Sequence, residues 1–74
     1  MTITLNGDRF ETPTPVTTVT QLLTHLQIDS RRVAVEHNFI VLKHIAYDTT
    51  TLAEGDQVEI VNFVGGGSDV RAVR

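Results

Sequence analysis

A single main helix is written into these 74 residues, and it constrains everything around it. Thr18-Val19-Thr20-Gln21 has the form of a capping box, in which the Thr18 hydroxyl accepts from the third helical amide and Gln21 reaches back to the cap. Val19, Leu22, Leu23 and Leu26 then recur at i, i+3, i+4 and i+7, one apolar stripe with Thr20, Thr24, His25 and Gln27 on the other faces or the rim. Gln27 stands where a left-handed glycine would be expected at a helix stop, and Ile28 is expected to fold back over the last turn. Such a stripe needs a sheet to cover it.

The strands can be read on either side. Thr2-Ile3-Thr4-Leu5 alternates polar and apolar with Ile3 and Leu5 inward, and Asn6-Gly7 closes a hairpin turn because both residues tolerate positive φ. Asp8 to Thr12 runs back with Phe10 as its core residue, and Thr12-Pro13-Thr14-Pro15 is a connector. Beyond the helix, Val33-Ala34-Val35-Glu36 is a third strand and Asn38 bends the chain by positive φ. Phe39-Ile40-Val41-Leu42 is a strand-length run whose four consecutive apolar residues exceed what one face can bury, so Phe39 or Ile40 is expected to be exposed. Lys43 to Leu52 reads as a loop with one helical turn, anchored by Leu52; Glu54-Gly55-Asp56 is a turn, and Gln57 to Val64 is the last strand. The expected core is Ile3, Leu5, Val19, Leu22, Leu23, Leu26, Val33, Val35, Val58 and Ile60.

Several function classes fall away on composition. There is no cysteine, which excludes a disulfide framework, a thiolate metal site and a cysteine nucleophile. The net charge is −3, and because Asp69, Arg71 and Arg74 together carry +1, the part through Gly67 carries −4. That disfavours nucleic acid, and Arg31-Arg32 is too short to make a basic patch. No run approaches a membrane span or a signal peptide, so no membrane partner is expected and the chain is placed in the cytoplasm. His25, His37 and His44 lack ligand spacing and read as solvated surface residues; no metal site is expected. Glu36 and Glu59 read as solvent-facing strand charges. With no nucleophile, metal site or phosphate loop, no catalytic residue is expected.

The last strand carries the functional signal. Val58 and Ile60 share one face while Glu59, Val61 and Phe63 share the other, so its end shows apolar surface on both sides and Val61, Phe63 and Val64 are candidate partner contacts. It leads into Gly65-Gly66-Gly67, a thread with no Cβ anywhere, slender enough to enter a narrow site. Two parts follow: a domain over residues 1–64 and a flexible glycine-containing tail over residues 65–74.

The order hairpin, helix, strand, strand, loop, strand matches an α+β, ubiquitin-like β-grasp arrangement, a mixed sheet of four to five strands with one main helix on one face. Leu5-Asn6-Gly7, Thr18-Val19 with Leu22-Leu23, Arg32-Val33-Ala34-Val35-Glu36 with Asn38, and Gly55 to Val61 running into Val64-Gly65-Gly66-Gly67 together resemble the ThiS sulfur carrier family of thiamin biosynthesis, along essentially the whole chain through Gly67. The resemblance implies that the Gly67 carboxylate, on the Gly65-Gly66 thread, is adenylated by a partner enzyme using ATP. It is then converted to a thiocarboxylate with cysteine-derived sulfur and delivers that sulfur to thiazole synthase. No cofactor is bound by the chain itself. Two features depart from the family: Phe39 stands where a glycine usually follows the asparagine, and Ser68 to Arg74 follow the glycines. Gly67 is therefore an amide until a protease trims the chain. The alternatives are the small subunit of molybdopterin synthase, with the same fold and terminal chemistry, and a non-catalytic β-grasp interaction module.

Overall fold

The computed structural model describes residues 1–64 and 69–72, with side chains through residue 62. Its elements are β1 (Thr2–Leu5), β2 (Asp8–Glu11), α1 (Val19–His25), β3 (Val33–His37), β4 (Ile40–Val41), β5 (Gln57–Val64) and β6 (Asp69–Ala72), with short 3-10 turns at Ser30–Arg32 and His44–Ala46. The strands form one mixed sheet in the order β2-β1-β5-β3-β4, with β6 also paired to β5. β1 and β5 run parallel at its centre and every other pair is antiparallel. The ubiquitin-like β-grasp arrangement expected from the sequence is the one found, with β6 as an added strand.

Local chemistry accounts for the turns. Asn6 (φ 48°) and Gly7 (φ 85°) form the left-handed pair that a right-twisted hairpin needs. Asn38 (φ 50°) and Phe39 (φ 71°) make the same shape between β3 and β4, but with a side chain where the backbone favours none. That residue costs roughly 1–2 kcal/mol. Phe39, Ile40 and Val41 are all exposed, where the crowding of that run suggested Phe39 or Ile40.

The helix follows its sequence closely. The Gln21 amide donates to Thr18 Oγ1 at 3.2 Å, and the Gln21 carboxamide oxygen accepts from the Thr17 and Thr18 amides at 2.7 and 3.1 Å. At the other end Gln27 adopts φ 59°, its amide bonds Thr24 O, and the Ile28 amide reaches back to Leu23 O at 2.9 Å. That pair of bonds satisfies the last carbonyls without a glycine. At 7 residues the helix is too short to persist alone, so its buried face has to hold it.

That face is the core. Ile3, Val19, Leu22, Leu23, Val33, Val35, Val58 and Ile60 are buried as expected, while Leu5 and Leu26 are only partly buried at its rim. Val16, Tyr47 and Leu52 complete it. Tyr47 had no place in the sequence reading, yet its hydroxyl accepts from the Val35 amide at 3.1 Å, and its carbonyl accepts from the Thr20 amide at 3.1 Å. It ties the loop to both the sheet and the helix.

A polar clamp joins the β3–β4 turn to the start of β5. His37 Nε2 lies 2.7 Å from Asp56 Oδ2, the Asn38 carboxamide donates to Asp56 Oδ1, the Ala53 amide donates to Asp56 Oδ2, and the Gln57 amide donates to Asn38 Oδ1. His37 is thus half-buried and paired, not solvated: the β5 register brings its ring against a carboxylate nineteen residues downstream in sequence but adjacent in space. His25 and His44 remain exposed, the latter with Nε2 3.1 Å from Val33 O. Arg31 and Arg32 both turn toward Asp29.

Of the tail expected from residue 65, residues 65–68 and 73–74 lie outside the described part. The backbone of Asp69–Ala72 forms β6, whose partners on β5 are Val64 to Val61 in antiparallel register. The Asp-Val-Arg-Ala alternation is the strand signal that reading these residues as a tail passed over.

Leu22→Ala is expected to cost about 2–5 kcal/mol, because Leu22 is fully buried on this face. Leu26→Ala, at the rim, is expected to cost less; equal losses in denaturant titrations would contradict the burial pattern.

A second expectation concerns acid. Burial pushes the Asp56 carboxyl up, but the bonds from His37, the Ala53 amide and Asn38 outweigh it and hold the group below its ordinary value of 3.8. A carboxyl lowered in the folded state contributes stability above 3.8 that is lost as pH falls through its lower folded value. The stability gap between the native chain and Asp56→Asn should therefore narrow as pH falls below that point, read as thermal midpoints across the acid limb. A gap that widens would reverse the sign.

Candidate functional site

The candidate site is the C-terminal half of β5, and its geometry begins with Asn6. β1 pairs with β5 only through Thr4–Gln57 and Leu5–Val58 before the chain turns into the hairpin. Beyond that point the Asn6 side chain takes over as a substitute strand: its Oδ1 accepts from the Ile60 amide at 2.7 Å and its Nδ2 donates to Ile60 O at 3.2 Å. The Asn6 backbone amide meanwhile donates to Val58 O at 2.9 Å. A carboxamide carries one acceptor and one donor side by side, the same pair that a neighbouring backbone would offer. From the sequence alone Asn6 is a turn residue. Its choice over Gly or Asp at that position was the available signal, since only the amide can satisfy both groups.

The other edge of β5 is held by β3 from Val58 to Asn62, with His37 opposite Val58 and Val33 opposite Asn62. The strand therefore leaves the body of the domain firmly supported as far as Asn62. On the sheet face away from the helix, Val61 sits opposite Ala34 and is half-buried, and Glu59 sits opposite Glu36, both half-buried. Two carboxylates directly across a ladder give this face a negative centre beside the apolar Ala34–Val61 pair. Val41, opposite Glu36, adds an exposed apolar edge.

Of the residues singled out in the sequence, Val61 lies on this outer face; Phe63 and Val64 are placed as β5 backbone, their side chains outside the described part. Gly65, Gly66 and Gly67 lie outside the described residues. Among the described residues no group of three or more His, Asp or Glu could hold a metal ion, and no helix is long and apolar enough to cross a membrane. The arrangement offers a surface and a direction of exit for the chain.

The chain matches the model of the ThiS family over residues 2–67. It is 41% identical over 69 residues to a thiazole synthase of Paramagnetospirillum magneticum, covering 93% of this chain and 21% of that protein; the chain thus spans about a fifth of that relative's length. It is 35% identical over 63 residues to the sulfur carrier protein ThiS of Bacillus subtilis, covering 85% of this chain and 96% of that one. The crystal structure of a thiamine biosynthesis protein (ThiS) from Geobacter metallireducens superposes with a TM-score of 0.79 at 39% identity, covering 90% of this chain and all of that chain.

Replacing Asn6 by Gly keeps the turn's backbone freedom and removes the clasp on Ile60. It should lower stability by about 1–3 kcal/mol, since two buried backbone groups lose their partners. Amide exchange at Ile60 should accelerate with it; an unchanged Ile60 rate would show that the clasp does not hold the strand.

Proposed function

The chain belongs to the ThiS family, and from that premise we propose that it carries sulfur for thiazole formation in thiamin biosynthesis as a thiocarboxylate on Gly67. The observation that carries this reading is where the family match stops: it runs from residue 2 to residue 67, ending on the third glycine and leaving Ser68 to Arg74 outside. The glycines follow directly on the strand that the fold supports best.

The chemistry sets the order of events. A carboxylate is a poor electrophile, so an oxygen of the Gly67 carboxylate attacks the α-phosphate of ATP on an adenylating partner and displaces pyrophosphate. A sulfur nucleophile derived from cysteine then displaces AMP from the acyl adenylate, leaving the thiocarboxylate. The chain contributes recognition and delivery while its partners catalyse. Because Gly67 is followed by Ser68, a protease must first cut between them. The likeness to a stretch of thiazole synthases supports that enzyme as the acceptor, since a carrier and the enzyme that uses its sulfur work as a pair. The reactions are those of the cytoplasm, where ATP and reduced sulfur donors are present.

The test supplies a cognate adenylating enzyme with ATP, labelled pyrophosphate and either the 74-residue chain or a form ending at Gly67. Exchange is expected with the short form alone, and adding the sulfur donor should raise its mass by the sulfur-for-oxygen difference. Equal exchange with both forms, the long one recovered uncut, would mean that Gly67 is not the reacting end.

A further inference from the structure

We propose that β6 is a placeholder: it occupies a strand edge of β5 that, once residues 68–74 are gone, receives an extended segment of the adenylating enzyme. This rests on the sulfur carrier reading, and deepens it by naming the surface that enzyme uses.

The geometry starts from the two edges of β5. β3 fills one edge through Asn62. β1 fills the other only to Val58, and Asn6 extends it to Ile60. β6 pairs with Val61 to Val64, and because β3 already holds Val61 and Asn62 from one side, β6 lies on the edge that β1 vacates. Strand alternation says which groups face it. Asp56 O, Val58 O and the Ile60 amide all point to the β1 side, accepting from or donating to Thr4 and Asn6, while Gln57 O points to the β3 side. Two and four residues further on, Asn62 and Val64 turn the same way as Ile60. Their N–H and C=O groups therefore face Arg71 and Asp69, their register partners on β6.

That edge accepts an extended backbone, as β6 itself demonstrates. Without β6 it presents the unpaired groups of Asn62 and Val64 immediately before the glycines, a template for strand addition. The enzyme that takes the glycines must pass along this same stretch, so an extended segment of it meets this edge first. Cleavage after Gly67 detaches β6 and frees the edge in the same event that creates the carboxylate. The uncut chain is then closed twice over, by its chemistry and by its surface.

Amide exchange on the 74-residue chain, on the form ending at Gly67, and on Arg71→Pro and Arg71→Ala variants tests this. Proline removes the Arg71 amide that faces Asn62, whereas alanine removes the side chain beyond Cβ and keeps that amide. Asn62 and Val64 should be protected in the native chain and in Arg71→Ala, and exchange at least tenfold faster in Arg71→Pro and in the short form. The synthetic peptide corresponding to residues 68–74, added to the short form, should restore protection at those two amides. The adenylating enzyme should protect the same amides in the short form and bind Arg71→Pro, uncut, at least tenfold more tightly than the native chain. Equal binding of Arg71→Pro and native chain, or fast exchange at Asn62 and Val64 in the enzyme complex, would overturn the proposal. These readouts need no turnover. If the short form is bound but never adenylated, the carrier reading fails while the edge assignment stands.

Discussion

The structure depends on the parallel pairing of the first and last long strands. β1 and β5 are more than fifty residues apart in sequence, share only two register pairs, and sit at the centre of the sheet with all other strands built outward from them. Two pairs make a short ladder. It is lengthened at one end by the Thr4 amide to Asp56 O and at the other by the Asn6 side chain, which stands in for a residue that β1 cannot supply because the chain must turn. One asparagine therefore does two things, tolerating the positive φ of the hairpin and closing the ladder on Ile60. A residue chosen for only one of those tasks would leave the other undone.

The helix works under a similar economy. Seven residues bury Val19, Leu22 and Leu23 against β1, β3 and β5, and both ends are finished by side-chain or backbone bonds in place of extra turns. Tyr47 supplies what so short a helix lacks, a bond from the loop to each layer. The two places where the chain accepts unfavourable backbone, Gln27 and Phe39, differ in return. At Gln27 the left-handed residue lets Ile28 reach Leu23 and satisfies the helix end, so the strain is offset locally. At Phe39 the ring is exposed, and no packing in the described residues offsets its cost.

Much of this was legible in the sequence because it is local. Capping boxes, the i, i+3, i+4 stripe, the Asn-Gly turn and the alternation of β1, β3 and β5 are each written within a few residues, and each was found where it was expected. What escaped was written between distant segments. Tyr47 and the His37–Asp56 contact lie in stretches without period, and their roles come from partners that only the fold brings close. Asn6 was legible as a turn residue, but its clasp on Ile60 spans fifty-four positions. Leu5 and Leu26 have the right period but lie at the ends of their elements, where the stripe runs off the edge of the sheet. β6 was hidden for a different reason: a glycine run biases the reading of whatever follows toward linker, even when the next residues alternate.

For the candidate site, the sequence pointed to the end of β5 but could not say how far the fold supports it. The supports end at different depths: β1 at Val58, Asn6 at Ile60, β3 at Asn62. β6 aside, which pairs with Val61 to Val64, each successive residue of β5 is thus held by fewer neighbours as the chain approaches Gly65. A carrier needs that gradient, since a partner must grip a body of fixed shape while the reacting atom travels into its site. Side chains that fix the body would obstruct the passage, so apolar bulk gives way to residues with none. On the proposed carrier reading, the position of that change, immediately after the last strand-forming valine, would set how deep a partner's channel can be before the body of the domain meets its rim.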